Sequence, residues 1–338
     1  TVHRARRRTG AHRRHPVAAA APRQRLAVKP PRDRLEPANA ERHNGAAAPS
    51  FIAMMAWRTS RFTIDLSRPR VMGIVNVTPD SFSDGGLFAS ERDAVAQCER
   101  LVGEGADILD IGGESTRPGA RTPSAEEELE RVLPVLRHAL TLGVPVSVDT
   151  SQPAVMRAVL DAGADIVNDV RALQRPGALD AVAAHASCGV CLMHMQGEPR
   201  TMQAAPTYGD VVGEIAAFLG ARVRACEAAG IAHNRIVIDP GFGFGKTLEH
   251  NLDLLNRLGE ITQPGRDGVP ILAGLSRKSM LGRITGRPAE DRLASSVAAA
   301  LIAAQRGAKI LRVHDVAATR DALAVWLATQ RGALLTPP

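Results

Sequence analysis

Eight short apolar runs recur along most of the chain, and each is followed by a loop rich in Gly, Pro and Asp and then by an amphipathic stretch. The runs cover residues 71–76, 107–112, 145–149, 165–168, 189–194, 235–239, 270–275 and 309–313. They are apolar throughout rather than alternating, which is typical of parallel strands buried on both faces. The chain is therefore predicted to alternate eight buried parallel strands with helices.

The stretches between the runs predict the helices. They cover residues 92–104, 152–161, 177–186, 208–229, 248–258, 289–305 and 316–330, with one more helix starting after Ser124. Eight strand–helix units in about 260 residues match a TIM (β/α)8 barrel in number and size. A doubly wound open sheet, the alternative, usually has fewer strands and a Gly-rich first turn, which this chain lacks. Residues 63–70 are expected to form a small hairpin or plug beneath the barrel.

The positive charge of the chain is concentrated at its N-terminus. Residues 1–50 hold twelve Lys and Arg against three Asp and Glu, a net charge of +9, whereas the rest holds 30 against 32, a net −2. A segment rich in Arg, Ala and Pro cannot bury enough surface to offset its ordering entropy. We therefore predict a disordered basic tail over residues 1–55 and a single (β/α)8 domain over residues 62–330.

Three interpretations of the tail remain open. The favoured one is a non-native or over-extended start, with a natural start at Met54 or Met55. A transit peptide would be rich in Ser as well as Arg, but Ser50 is the only serine in the segment. A nucleic-acid-binding arm would depend on phosphate attraction alone, since the segment has no aromatic residue to stack on bases. The slightly acidic remainder of the chain argues against nucleic acid as a partner.

The composition also excludes membrane and disulfide-based classes. No apolar run approaches the ~20 residues of a membrane helix, and no signal-peptide core is present, so we expect a cytoplasmic protein without a membrane partner. Cys188 and Cys191 form a C-x-x-C motif within an apolar strand, without the second pair that a zinc site needs. We interpret them as buried and unreactive.

Polar residues stand at the carboxyl ends of the predicted strands, where TIM-barrel chemistry lies. In chain order they are Asn76, Gly112-Gly113-Glu114, Asp149, Asn168-Asp169, Met193-His194, Asp239, Ser276-Arg277-Lys278-Ser279, and Arg312 with His314. Asp169 alone has a simpler interpretation as a helix cap. Polar residues at all eight ends predict a site for a polar small molecule.

The types of these side chains indicate the chemical class of the ligand. Asp149, Asn168, Asp239 and Lys278 suit a flat heterocycle with an amino-pyrimidinone edge, because a carboxylate accepts two parallel N–H bonds from such an edge. The loops after strands 7 and 8 are the usual phosphate site of this fold. Asn76, followed by an acidic loop, is placed to help hold a hard cation on that phosphate.

Three loops need separate interpretation. Residues 78–89 and 112–122 are long and rich in Gly and Pro, which predicts mobile lids, and Arg117 on the second is suited to stabilising a departing phosphate. Residues 240–247 look like a Walker A loop, but Pro240 occupies the position of its first Gly. We interpret this segment as the loop after strand 6, with Phe244 as an apolar wall.

Two long motifs and five short ones resemble those of the dihydropteroate synthase family, in the family's order. The long ones are Met72-Gly-Ile-Val-Asn-Val-Thr-Pro-Asp-Ser-Phe-Ser-Asp-Gly-Gly86 and Asp110-Ile-Gly-Gly-Glu-Ser-Thr-Arg-Pro-Gly-Ala120. The short ones are Val148-Asp-Thr150, Val167-Asn-Asp169, Asp239-Pro-Gly-Phe-Gly-Phe-Gly-Lys246, Gly274-Leu-Ser-Arg-Lys-Ser279 and Arg312-Val-His314. The resemblance covers about residues 62–330.

The resemblance implies a transferase of folate biosynthesis with a pterin-binding TIM barrel. In that reaction para-aminobenzoate displaces pyrophosphate from 6-hydroxymethyl-7,8-dihydropterin pyrophosphate, with Mg²⁺, to give 7,8-dihydropteroate by a dissociative displacement. It also implies inhibition by sulfonamides and a homodimer formed through the outer helices near strands 6 to 8. A methyltetrahydrofolate-dependent methyltransferase of the same fold is the alternative. The intact lid motifs argue against it, because methyl transfer expels no pyrophosphate.

The resemblance also assigns site residues. Those implied for the pterin are Asp149, Asn168, Asp239, Lys278 and Arg312; those for pyrophosphate are Asn76, Arg312 and His314, with the metal at Asn76. Those implied for para-aminobenzoate are Phe82, Thr116, Arg117, Pro118, Phe244, Lys278 and Ser279. The catalytic set is Asp84, Arg117, Lys278 and Asp149.

Overall fold

The computed structural model describes residues 55–77, 86–114, 123–198, 201–262 and 268–330. The predicted disordered tail, apart from Met55, lies outside the described residues. So do most of the first predicted lid and the part of the second that carries Arg117.

Strands and helices alternate along the described chain as predicted. The strands are β1 (Ala56–Arg58), β2 (Thr63–Asp65), β3 (Arg70–Asn76), β4 (Ile108–Gly112), β5 (Val146–Asp149), β6 (Ile166–Asp169), β7 (Gly189–Met193), β8 (Ile236–Asp239), β9 (Ile271–Ala273) and β10 (Ala308–Val313). The helices are α1 (Gly86–Gly103), α2 (Ala125–Ala139), α3 (Pro153–Asp161), α4 (Ala178–Ala183), α5 (Val211–Ala228), α6 (Leu248–Asn256), α7 (Ser279–Thr285), α8 (Leu293–Gln305) and α9 (Val316–Gln330).

The eight strands from β3 to β10 form a closed parallel barrel. Each pairs with the next along the chain, and β10 closes the barrel by pairing with β3. Every residue of β4, β6, β7, β8 and β9 is buried. The uninterrupted apolar runs follow from this burial, since one face of each strand meets the barrel interior and the other meets the helices. The predicted TIM barrel is confirmed.

The helix α2 shows how local sequence sets the element boundaries. The Ser124 side chain accepts a hydrogen bond from the Glu127 backbone N–H, and the Glu127 carboxylate accepts one from the Ser124 backbone N–H. This capping box satisfies two backbone donors that an α-helix leaves unpaired at its start.

Three predicted boundaries around the last strands were wrong. The strand β9 ends at Ala273, so the polar segment that begins at Ser276 lies beyond the strand rather than at its end. The helix α7 was not predicted, and α8 begins at Leu293 rather than at Ala289. The helix α7 has only seven residues, too few for an apolar period to be visible, and it is followed by Gly286 in the left-handed conformation. Residues Ala289–Asp291 form a separate 3-10 turn before α8.

A hairpin closes the end of the barrel at which the strands begin. The strand β1 pairs antiparallel with β2, one strand earlier in the chain than the predicted hairpin over residues 63–70. Trp57 and Leu66, both fully buried, pack with barrel residues such as Met72 and Ile310. The Trp57 indole Nε1 donates to the Arg235 carbonyl at 2.9 Å. The hairpin therefore seals the apolar end of the barrel and leaves the opposite end for polar residues.

The buried cysteines agree with their interpretation as unreactive thiols. All four cysteines are buried as free thiols, and burial raises the pKa of each, including Cys188 and Cys191 of the C-x-x-C motif. Buried thiols of raised pKa are poor nucleophiles at neutral pH. Within the described part of the chain, no helix is both long enough and apolar enough to cross a membrane.

Candidate active site

The register of the barrel strands brings the predicted polar residues to one level. Asn76 pairs with Gly112, Gly112 with Asp149, and Asp149 with Asn168. Asp239 ends β8 at the same edge. Because all eight strands are parallel, these positions form an arc around the C-terminal mouth of the barrel.

Arg312, on the last strand, forms hydrogen bonds with residues of this arc. Its Nε donates to Asp110 Oδ2 at 2.6 Å, and its Nη2 donates to Asp149 Oδ2 at 2.8 Å. The guanidinium therefore joins β10 to β4 and β5. Arg312 and Asp149 were both predicted as site residues, but their ion pair was not.

Asp110 was missed by the sequence analysis as a site residue. It lies inside the apolar run of β4, and its side chain is fully buried. Its Oδ2 also accepts a hydrogen bond from the Asn168 side-chain Nδ2 at 3.2 Å. An acid in the middle of a buried apolar strand needs a compensating partner elsewhere, and that requirement is the signal that could have identified it.

The carboxylates of the mouth are strongly perturbed. Burial raises the pKa of Asp149, with Arg312 acting against this. Burial also raises the pKa of Asp239 to about 6, although its Oδ1 accepts a hydrogen bond from the Gly241 backbone N–H at 2.7 Å. For Arg312, burial alone lowers the pKa, but Asp110 and Asp149 together outweigh burial and raise it. Perturbed ionisable groups that share one cleft are typical of functional sites.

Lys278 brings a second cation to the mouth. It precedes α7, and its Nζ lies 4.0 Å from the centre of the Phe244 ring. Burial lowers the pKa of Lys278 to about 8, and the charge of Arg312 acts in the same direction. The contact places Phe244 against Lys278, the lysine that the resemblance implies for both the pterin and para-aminobenzoate.

The Lys278 ammonium makes turnover sensitive to alkaline pH. Lys278 is charged below its pKa of about 8, so kcat/KM is expected to fall as the pH rises through that value. Lys278→Arg keeps its charge far above pH 8, so it should remove this alkaline limb while lowering the plateau. A pH–rate profile of both proteins is the measurement. An alkaline limb that is unchanged in Lys278→Arg would assign the titration to another group.

The strained backbone of Arg277 immediately precedes Lys278 at the mouth of the barrel. Arg277 has φ +59°, a left-handed conformation that non-glycine residues rarely adopt. Its backbone N–H donates to Ser296 Oγ at 2.9 Å, and its guanidinium forms an ion pair with Asp315 at 2.6 Å. These contacts from α8 and from the loop after β10 hold the strained turn that precedes Lys278.

His314 is oriented by a serine. The His314 backbone N–H donates to Ser276 Oγ at 3.2 Å, and the same hydroxyl forms a hydrogen bond with His314 Nδ1 at 3.0 Å. Burial lowers the pKa of His314 to about 3, and Arg277 acts in the same direction. The imidazole is therefore neutral at working pH, and the hydrogen bond through Nδ1 leaves Nε2 free of Ser276.

The loop from residue 240 to residue 247 is not a phosphate loop. Lys246 is buried, and its Nζ donates to the carbonyl oxygens of Gly241 at 2.9 Å and Phe244 at 3.0 Å. His194 Nδ1 lies 3.1 Å from the same nitrogen. The lysine is fully engaged by its own loop and by β7, so it holds Phe244 in place rather than binding a ligand.

Gly241 in this loop is expected to tolerate no side chain. It has φ +70°, and a Cβ there would lie 1.9 Å from the His194 carbonyl oxygen. Gly241→Ala should therefore destabilise the fold by about 3 kcal/mol or more, through strain and overpacking together. Gly230→Ala is the matched control, because Gly230 has φ +91° but no atom within 4 Å of its Cβ position, and it should cost only about 1 kcal/mol. Urea unfolding measures both, and equal losses would contradict the steric argument.

Asp169 has a structural role, but it does not cap a helix as predicted, because the next helix, α4, begins at Ala178 after an N-cap at Gly177. Its carboxylate accepts hydrogen bonds from the Ser151 hydroxyl at 2.6 Å and from the backbone N–H groups of Arg171 and Leu173. It thus organises the turn after β6.

Several predicted residues cannot be placed. Asp84, Phe82, Thr116, Arg117 and Pro118 lie outside the described residues. Of the remaining predictions, Ser279 begins α7 and is exposed, whereas Asn76 is half-buried at the end of β3.

Comparison with known proteins identifies the family. A family described as pterin-binding enzymes matches residues 72–314. A dihydropteroate synthase of Neisseria meningitidis serogroup C is 54% identical over 278 residues, covering 81% of this chain and 98% of the relative. The dihydropteroate synthase of Escherichia coli K12 is 52% identical over 268 residues, covering 79% of this chain and 94% of the relative. This chain belongs to the dihydropteroate synthase family.

Solved structures of the dihydropteroate synthase family share the fold. The Xanthomonas albilineans enzyme with 4-aminobenzoic acid has 56% identity and a TM-score of 0.74, covering 82% of this chain and 96% of that one. The Burkholderia cenocepacia enzyme with 7,8-dihydropteroate has 50% identity and a TM-score of 0.76, covering 83% and 98%. The Yersinia pestis enzyme with a sulfonamide drug complex has 49% identity and a TM-score of 0.77, covering 82% and 100%. The methyltransferase alternative is not favoured.

Proposed function

We propose that this chain condenses 6-hydroxymethyl-7,8-dihydropterin pyrophosphate with para-aminobenzoate to give 7,8-dihydropteroate and pyrophosphate. The observation that carries the proposal is the Arg312 guanidinium between Asp110 and Asp149 at the barrel mouth, with Asp239 and Lys278 completing the polar set. The ligands of the solved relatives, 4-aminobenzoic acid, 7,8-dihydropteroate and a sulfonamide, support the same reaction.

The pterin is proposed to bind through its pyrimidinone edge. Asp149, Asn168 and Asp239 supply acceptors for its N–H groups, and Lys278 supplies a donor for its carbonyl oxygen or ring nitrogen. Arg312 lies over the ring face. Since burial raises the pKa of Asp239 to about 6, hydrogen bonds from the ligand are expected to stabilise the carboxylate form.

The displacement needs no protein nucleophile. The C–O bond between the pterin methylene and pyrophosphate breaks, with the electron pair leaving on pyrophosphate. The amine nitrogen of para-aminobenzoate supplies the pair for the new C–N bond and then loses a proton, which pyrophosphate accepts. The negative charges of Asp149 and Asp239 stabilise the positive charge that develops on the pterin methylene.

The departing pyrophosphate is proposed to bind at Asn76, Arg312 and His314. Arg312 offers a permanent charge, and neutral His314 offers a donor to the anion in the tautomer that carries its proton on Nε2. Asp84 and Arg117, from segments outside the described residues, complete the catalytic set by resemblance.

Mg²⁺ is proposed as the cofactor, with Asn76 as its protein ligand. The Asn76 side chain makes no hydrogen bond within the described residues, and no cluster of three or more metal-ligating side chains occurs among them. That donor set fits Mg²⁺, which keeps several waters and binds through one or two protein oxygens plus phosphate. When bound, the ion would neutralise charge on the pyrophosphate oxygens.

Para-aminobenzoate is proposed to lie against Phe244, Lys278 and Ser279. The Lys278 ammonium lies over the Phe244 ring, so an apolar surface and a cation adjoin in this pocket. An aromatic amine with a carboxylate matches that combination. Phe82, Thr116, Arg117 and Pro118 are assigned to the same pocket by resemblance.

The remaining proposals concern the protein as a whole. We propose a cytoplasmic homodimer that uses small-molecule substrates only, with activity confined to a single domain of residues 62–330. Deleting residues 1–50 should therefore leave kcat/KM unchanged.

A direct assay tests the proposed function. Purified protein is given the pterin pyrophosphate, para-aminobenzoate and Mg²⁺, and both 7,8-dihydropteroate and pyrophosphate are measured. Equal molar amounts are expected, and a sulfonamide should compete with para-aminobenzoate. Folded protein that forms no dihydropteroate would overturn the proposal, and demethylation of methyltetrahydrofolate would favour the alternative.

A further inference from the structure

Asp110 holds two functional side chains with one oxygen atom. Its Oδ2 accepts from Arg312 Nε at 2.6 Å and from Asn168 Nδ2 at 3.2 Å. Its side chain has no exposed surface, whereas that of Asp149, the other partner of Arg312, is 17% exposed. A ligand can therefore compete with Arg312 for Asp149 but cannot reach Asp110.

This arrangement fixes which face of the Asn168 amide meets a ligand. The oxygen and nitrogen of an amide point in different directions, and the nitrogen is committed to Asp110. The Oδ1 atom is thereby turned away from Asp110, and it accepts no hydrogen bond from another described residue. Asn168 is thus presented as an acceptor, the polarity that an N–H edge of a heterocycle requires.

The arrangement also anchors Arg312. When a ligand takes over the Asp149 carboxylate, the guanidinium keeps its Nε bond to Asp110 and its terminal nitrogens become available to an anion. Asp110 keeps Arg312 in place while its other partner changes, because the ligand cannot reach the hydrogen bond between Arg312 Nε and Asp110.

The second oxygen of Asp110 points to a functional rather than a structural role. Asp110 Oδ1 is buried and has no hydrogen-bonding partner among the residues that the structure describes. A buried acceptor without a donor destabilises the fold, and an asparagine would accept from Arg312 without keeping a negative charge there. The site therefore retains the charge at a cost in stability.

We propose that Asp110 is a positioning residue that sets the amide polarity of Asn168 and the aim of Arg312, and so links heterocycle binding to pyrophosphate departure. This inference rests on the proposed function. Asp110 acts through its two partners and does not itself touch the substrate.

Asp110→Asn tests the proposal against a matched control. The control is Asp165→Asn, since Asp165 is equally buried and forms an ion pair of 2.7 Å with Arg61 at the opposite end of the barrel. In Asp110→Asn, the affinity for pterin, measured by calorimetry, should fall by about tenfold and kcat by about a hundredfold. Asp165→Asn should lower the thermal midpoint but change neither quantity by more than about twofold.

Double-mutant cycles separate positioning from a general disturbance. In an Asn168→Ala background, Asp110→Asn should lower pterin affinity by less than it does in the wild type, because the route through Asn168 is already removed and only the route through Arg312 remains. Full additivity would overturn the proposal, as would pterin affinity and kcat within twofold of the wild type in the single variant. Should Asp110→Asn fail to fold, Asn168→Ala alone should change the affinity for inorganic pyrophosphate through the shared Oδ2, and an unchanged affinity would overturn it.

The pterin measurement keeps this inference separate from the proposed function. If the wild-type protein forms no dihydropteroate, the proposed function fails, while the effect of Asp110→Asn on pterin affinity still tests the positioning role.

Discussion

Arg312→Met is expected to lower kcat/KM by about 10³-fold or more, since it removes the preorganised cation that stabilises the departing pyrophosphate. Methionine keeps much of the length of the side chain, but it cannot donate to Asp110 or Asp149. Two buried carboxylates would then face each other without a cation, and the pKa of Asp149, already raised by burial, should rise further. The variant should therefore lose pterin affinity as well as kcat.

Steady-state kinetics with both substrates, combined with pterin calorimetry, measures this effect. Arg235→Met is the matched control, because Arg235 is also buried but donates to backbone carbonyls, such as that of Cys188 at 2.7 Å, and to the Cys188 sulfur, all at the closed end of the barrel. The control should lose stability and keep its kcat per folded molecule. A loss below about tenfold in Arg312→Met would contradict the assigned role, because single oxyanion donors are usually worth more than that.

Trp57→Ala is expected to destabilise the protein by about 3–5 kcal/mol, the usual cost of removing a fully buried large aromatic side chain. Trp57 has no exposed surface and fills the closed end of the barrel together with residues such as Met72 and Ile310. Its removal also leaves the Arg235 carbonyl without its indole donor. The loss combines a cavity with an unsatisfied acceptor.

Urea unfolding at constant temperature measures the free energy of unfolding for this variant. Trp326→Ala is the control, since Trp326 lies half-buried on α9 and should cost about 1 kcal/mol. The kcat of folded Trp57→Ala should stay near the wild-type value because the hairpin lies at the end of the barrel opposite the active site. A destabilisation equal to that of Trp326→Ala would show that the hairpin is not part of the core.

The barrel could be predicted because strands that are buried on both faces are apolar throughout, and such runs are visible in the sequence. The segment from Val71 to Asn76 is apolar until its last residue, and the same pattern in seven other runs specifies strand number and order. The ends of the elements were less predictable. The seven residues of α7 and the early start of the hairpin at Ala56 depend on packing against the barrel, which has no local periodicity.

The residue types of the site could likewise be predicted, but their pairing could not. Asp149, Asn168, Asp239 and Arg312 follow from their positions at strand ends and from the family's motifs. Asp110 stands within an apolar run, where sequence alone indicates only a buried acid. Its role becomes visible when a residue 202 positions away donates to it.

The sequence by itself determined the order of the strands, the family and the end of the barrel that carries the chemistry, because these depend on local burial patterns and on contiguous motifs. The tertiary structure alone decided which charges face each other. Closure of β10 onto β3 and the register of β4 to β6 bring Arg312, Asp110, Asp149 and Asn168 into contact. The energy of an ion pair depends on distance in space, and closure of the barrel brings its first and last strands together in a way that no local sequence pattern encodes.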